Sequence, residues 1–190
     1  MKRLLCTLAA LTLCAGALAA PRPGPAPGES VYRLPVKMTD QHGRQSDWGD
    51  RRGKVQLVSM FYTSCQYICP LIVDSGKAVE KQLTPSGRER LGILLISMDP
   101  ARDTPTVLMS VASKRKLDPS RWTLASPEQA DVRKIAGVLG IRYRALANGD
   151  FNHTSALVLL DMEGRILART EQMGSRIDPE FLAAVRKALE

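Results

Sequence analysis

The chain has 190 residues, 27 Lys and Arg against 19 Asp and Glu, and a formal net charge of +8. That length is enough for one domain with a real hydrophobic core plus extra segments. Aromatic residues make up only 5% and none interleave with a basic run, which argues against a nucleic-acid-binding protein.

Residues 1–19 begin with Met1-Lys2-Arg3, continue as an apolar Leu/Ala stretch and end in Ala17-Leu18-Ala19, a small-x-small cleavage signature. They read as a secretory signal peptide, with the protein released into the periplasm. The alternative is an uncleaved inner-membrane anchor facing the same compartment, although the apolar run is short for a span of about 20 residues. Without Lys2 and Arg3 the charge falls from +8 to +6. A surface of that sign favours acidic partners or a loose association with anionic headgroups. Residues 20–30, containing PRPGPAPGE, cannot build a core and read as a tether. The folded domain is expected over 31–190.

Within the domain, Val31 to Met38 reads as a strand entering the turn at residues 39–44. KVQLVSMFY, residues 54–62, is a near-continuous apolar run with β-branched and aromatic members, the pattern of a buried central strand. Helix-spaced Ile72, Val73, Val79 and Leu83 predict a helix from Cys69 to Leu83, with Pro70 suited to its first turn. GILLISM, residues 92–98, is a second buried strand. Thr104 or Asp103 followed by Pro105 opens a helix to about Leu117. A short strand over Trp122 to Ala125 precedes a helix opened by Ser126-Pro127-Glu128 and running to Leu139. Ile141 to Ala147 alternates weakly. Ser155–Leu160 and Arg165–Thr170 flank a turn at Met162-Glu163-Gly164 and form a hairpin. Asp178-Pro179 opens a terminal helix. Buried strands alternating with helices predict an α/β fold, and the order fits a thioredoxin-like layout: a central mixed sheet with helices on both faces.

The chemistry concentrates in FYTSCQYICP. Removal of the leader takes Cys6 and Cys14 with it and leaves Cys65 and Cys69 as the mature cysteines. They stand where a central strand ends and a helix begins, the carboxyl edge of the sheet. A helix start favours thiolate over thiol. Residues four apart on a helix share a face, so both sulfurs could reach one ion. The same pair in an oxidising compartment could close a reversible disulfide. Spacing alone leaves metal site and redox couple open, with two core thiols as the plain alternative. His153 lies in a loop entering the SALVLL strand and is placed to approach the cysteines; alone it reads as an ordinary loop histidine. His42 sits in a polar turn and reads as surface. Met60 and Met98 read as core. Two sulfurs and one imidazole are too few for a closed zinc site but suit copper, with thiolates for Cu(I) and imidazole for Cu(II).

FYTSCQYICP, SMDPARDTP and FNHTSALVLLDMEGRI, in this order, resemble the SCO/SenC family of thioredoxin-like copper chaperones. The resemblance runs from Leu34 to Arg169. It implies copper ligation by Cys65, Cys69 and His153, and delivery to the CuA centre of cytochrome c oxidase during assembly. The expected partner is the copper-accepting subunit of a terminal oxidase. Many members have Cys-Pro-Asp-x-Cys-Pro, where this chain has Gln66-Tyr67 between the cysteines. The alternative function is a thiol–disulfide oxidoreductase acting on the cysteines of that partner, with Cys65 and Cys69 as its catalytic pair. Asp99 and Asp103 are candidates for shaping the site rim, or simply a turn and a helix cap.

Overall fold

The computed structural model describes residues 26–190 except 66 and 67, and the side chains of residues 68 and 69 also lie outside the description. The expected leader and most of the tether are likewise outside the described residues. No helix among the described residues is long and apolar enough to cross a membrane.

A seven-stranded mixed sheet carries the core. Its members are β1 (Lys37–Asp40), β2 (Gln45–Asp47), β3 (Val55–Phe61), β4 (Leu91–Ser97), β5 (Trp122–Pro127), β8 (Leu157–Leu160) and β9 (Ile166–Thr170), in the spatial order β2-β1-β5-β4-β3-β8-β9. A separate two-stranded ribbon joins β6 (Tyr143–Ala145) to β7 (Phe151–His153). The helices are α1 (Ile68–Lys81), α2 (Pro85–Arg90), α3 (Pro105–Lys114), α4 (Gln129–Val138) and α5 (Pro179–Ala188). This is the expected thioredoxin-like arrangement, a central mixed sheet flanked by helices.

The centre is built from the two apolar runs. Every residue of β3 and β4 is buried, and the two pair in parallel from Val55↔Leu91 to Phe61↔Ser97. Strands covered on both faces need apolar residues at successive positions, not alternate ones. Burying each Val, Leu or Ile contributes about 1.5–3 kcal/mol. Polar Ser59 is tolerated in β3 because its hydroxyl donates to the Ala156 carbonyl at 2.7 Å. The helix starts follow their capping chemistry. The Thr104 hydroxyl accepts from the Val107 N–H with Pro105 at the first turn, and the Asp178 carboxylate accepts from the Glu180 and Phe181 N–H groups.

Several expectations need correction. Val31–Arg33 is a 3₁₀ turn, not strand; Ser30 caps it by accepting from the Tyr32 N–H. Ser126 and Pro127 end β5, with Pro127 paired to Met38, so α4 starts later, at Gln129. α2 went unread in the sequence. The segment before the SALVLL strand is not a loop: His153 closes β7.

One topological fact positions the site. β8 runs antiparallel to β3, with Gln56↔Leu160 and Val58↔Val158. The start of β8 therefore lies at the same edge of the sheet as the end of β3. The segment carrying His153 is delivered to the segment carrying Cys65.

Candidate metal centre

β3 ends at Phe61, and the chain turns through Tyr62-Thr63-Ser64 into Cys65, whose N–H donates to the Tyr62 carbonyl at 3.3 Å. Cys65 is half-buried. It borders a groove of about 410 Å³ with Tyr62, Pro70, Val73, Val111 and Lys114 along its walls. Cys69 stands in the opening turn of α1, and its side chain is outside the description.

The turn is held from the neighbouring strand. The β4–α3 loop places Asp103 fully buried beneath it. Both Asp103 carboxylate oxygens accept from the Thr63 N–H at 3.2 Å, and one also accepts from the Thr63 hydroxyl. The Ser97 hydroxyl donates to the same carboxylate at 2.6 Å. Burial pushes the Asp103 carboxyl above its usual range, against the pull of those hydrogen bonds. The loop also reaches the β6–β7 ribbon: Arg102 pairs with the Asp99 carboxylate and donates to the Gly149 carbonyl at the ribbon's tip. Asp99 and Asp103 are thus more than a turn and a cap; together with Arg102 they tie the Cys65 turn and the His153 ribbon to one loop.

His153 is paired with Tyr143 across the ribbon. Its ring lies edge-on to Tyr62, with centroids 6.0 Å apart and planes at 74°. Its Nδ1 is 3.3 Å from the Thr154 carbonyl. A carbonyl only accepts, so that contact requires Nδ1 to carry the proton, and the neutral ring then presents Nε2 as a bare lone pair. Nε2 is buried and has no hydrogen-bond partner among the described residues. Burial lowers the His153 pKa, opposed by the Thr154 carbonyl, and so favours the neutral ring. A buried nitrogen with an unused lone pair costs about 1–3 kcal/mol unless something binds it. A metal ion is a fitting occupant for a neutral, desolvated imidazole beside a cysteine at a helix start.

The structure therefore brings both Cys65 and His153 against Tyr62. Among the described residues no three His, Cys, Asp or Glu side chains converge; the third expected ligand, Cys69, has its side chain outside them. His42 is exposed in the β1–β2 turn, as its polar surroundings suggested. Met60 and Met98 are fully buried core residues. Tyr62 went unrecognised in the sequence, where it reads as the last residue of an apolar run.

A buried thioredoxin-like sheet edge bearing a strand-end cysteine and a desolvated imidazole defines a metal- or thiol-handling domain. Comparison with known proteins makes the class specific. The SCO1/SenC family model matches residues 26–190, and the chain belongs to that family. An SCO2-like protein of Rickettsia felis is 27% identical over 140 residues, covering 69% of this chain. The matched stretch spans 65% of the length of that relative and of another curated one. Among solved structures, Bradyrhizobium japonicum ScoI with copper bound shares 25% identity at a TM-score of 0.66, covering 81% of this chain and 97% of that one. BsSco, described as having a disulfide switch and as a member of the Sco family of cytochrome c oxidase assembly proteins, has the same fold at 22% identity. Its TM-score is 0.68, covering 82% of this chain and 91% of that one.

Proposed function

We propose that this protein is an exported copper carrier. It binds one copper through Cys65, Cys69 and His153 and passes it to the CuA centre of a cytochrome c oxidase during assembly. The observation that carries the reading is the buried Nε2 of His153, without a hydrogen-bond partner among the described residues, on a ring packed against Tyr62 three residues ahead of Cys65. The copper-bound ScoI structure and the oxidase-assembly description of BsSco support the cargo and the destination. Two thiolates hold Cu(I); the imidazole nitrogen extends the set to Cu(II). Release proceeds by ligand exchange: an incoming thiolate or imidazole of the acceptor replaces one protein ligand at a time, and copper keeps its oxidation state. The partner is the copper-accepting oxidase subunit, and the site of action is the periplasm, reached through the leader at residues 1–19. Of the stretch read as a tether, residues 20–30, only the part ahead of the described residues takes that role, because Ala26 packs on the core and Ser30 is buried and caps the first turn.

The test is copper titration of the reduced domain. About one copper per chain is expected, lost in the Cys65→Ser/Cys69→Ser double variant. His153→Ala is expected to weaken Cu(II) binding strongly and Cu(I) binding less. Equal copper occupancy in the double variant overturns the assignment. A second reading, thiol–disulfide exchange with the same partner, is favoured by the groove beside Cys65 and by the disulfide switch described for BsSco. Here Cys65 and Cys69 would cycle between dithiol and disulfide, one attacking through a mixed disulfide and the other resolving it. If His153→Ala restores oxidase activity to a deletion strain under limiting copper as well as wild type does, this second reading takes over.

A further inference from the structure

Tyr62 belongs in sequence to the cysteine segment but packs into the histidine ribbon. Its side chain is buried, and its ring stands edge-on to Phe151 at 5.1 Å and to His153 at 6.0 Å. Its hydroxyl lies between the ribbon backbone and the Cys65 side chain. It accepts from the Phe151 N–H at 3.4 Å, and burial together with the neighbouring Cys65 side chain holds its proton on. A core aromatic needs none of this; Phe would fill the same volume and leave the sulfur and the amide without that oxygen.

We propose that Tyr62 is the positioning residue of the centre, fixing the Cys65 sulfur and the His153 imidazole relative to one phenol. The proposal rests on the copper reading for the identity of the two ligands it positions. The ring and the hydroxyl do different work. The ring sets the angle at which the imidazole faces the site. The hydroxyl donates to the thiolate and draws electron density from it, as hydrogen bonds to a metal-bound cysteine sulfur do when they tune a site.

Two variants separate these contributions. Tyr62→Phe keeps the ring: its Cu(II) affinity stays near wild type, and the thiolate-to-Cu(II) charge-transfer band moves to longer wavelength because the sulfur is a better donor. Tyr62→Leu removes the ring as well: Cu(II) affinity falls about tenfold, the scale of losing a group that orients a ligand, with a smaller loss for Cu(I). In the reduced, metal-free protein, NMR reads the same arrangement without copper. The Cys65 Cβ signal shifts in both variants, whereas the His153 ring signals shift only in Tyr62→Leu. An unmoved charge-transfer band in Tyr62→Phe, or wild-type Cu(II) affinity in a folded Tyr62→Leu, overturns the proposal. Should Tyr62→Leu fail to fold, the band and the Cys65 signal of Tyr62→Phe decide it. Should the wild type bind no copper, the carrier reading fails, and the metal-free NMR of the two variants still decides the role of Tyr62.

Discussion

The buried carboxylate of Asp103 grips Thr63 at two atoms, accepting from its N–H at 3.2 Å through each oxygen and from its hydroxyl through one. Forty residues of sequence are closed into a single contact two residues ahead of Cys65. Asp103→Ala leaves the part-buried Thr63 N–H without its acceptor and removes the acceptor for two hydroxyls. A loss of about 3 kcal/mol is expected, since each buried group left unpaired costs about 1–3 kcal/mol. Urea unfolding measures it; a loss under about 0.5 kcal/mol, the range of ordinary surface changes, contradicts the clamp.

The same carboxylate predicts a pH signature. Burial raises the Asp103 pKa in the fold, so the native state holds its proton more tightly than the unfolded chain. Its contribution to stability is fully present below the ordinary carboxylate range, near pH 4. It is lost as pH rises through the raised native value. Asp103→Asn does not titrate. Across that window the stability of wild type minus that of Asp103→Asn should fall with increasing pH, read by urea unfolding at several pH values. A constant or rising difference contradicts the assignment.

Gly76 and Gly137 provide a paired test of packing. A Cβ on Gly76 in α1 would come within 2.5 Å of the Trp122 ring, whereas a Cβ on Gly137 in α4 meets nothing within 4 Å. Trp122 is 1% exposed and cannot swing aside, because its Nε1–H donates to Glu80 at 2.8 Å. Gly76→Ala gains about 1 kcal/mol of helix propensity but incurs overpacking of about 1–3 kcal/mol, for a net loss. Gly137→Ala has only the gain, reduced by its place near the helix end. Thermal unfolding should move in opposite directions for the two; a stabilised Gly76→Ala would show that the tryptophan yields.

Arg102 joins Asp99 to the Gly149 carbonyl at the ribbon tip. Its side chain is 47% exposed, so Arg102→Leu should leave global stability nearly unchanged. The ribbon should open more often. Amide exchange over residues 143–153 is expected to rise about fivefold, the factor carried by one hydrogen bond worth about 1 kcal/mol. Uniform exchange rates across that segment in variant and wild type would remove the tie from the account.

What could be read in the sequence, and what could not, divides along local and long-range physics. β3 and β4 were legible because burial on both faces writes itself as an apolar run. Thr104-Pro105 and Asp178-Pro179 were legible because a cap and a proline act within one turn. Thr84-Pro85 carries the same signal for α2, whose Thr84 hydroxyl accepts from the Gly87 N–H, and its brevity hid it. β6 and β7 were missed because each has three residues of mixed polarity and pairs only with the other. Val31–Arg33 has strand-forming residues, but the Ser30 cap and the bond from the Val31 N–H to the Gly164 carbonyl fold it otherwise. At the site, Cys65 and Cys69 stood out by spacing. Tyr62 did not, because its work depends on the ribbon that packs against it, and no local pattern records that neighbour.

The reversal of β8 against β3 also sets an order of events. The two cysteines lie within one turn-and-helix segment and can find each other early in folding. The imidazole comes from a distant part of the chain and arrives only with long-range strand pairing, which is slow because loop closure must precede the contacts that reward it. A half-folded chain thus offers sulfur without nitrogen. As a carrier, such a chain would accept Cu(I) and lack the ligand that admits Cu(II). The oxidation state of the copper such a carrier would hold would then be a statement about whether its sheet is complete.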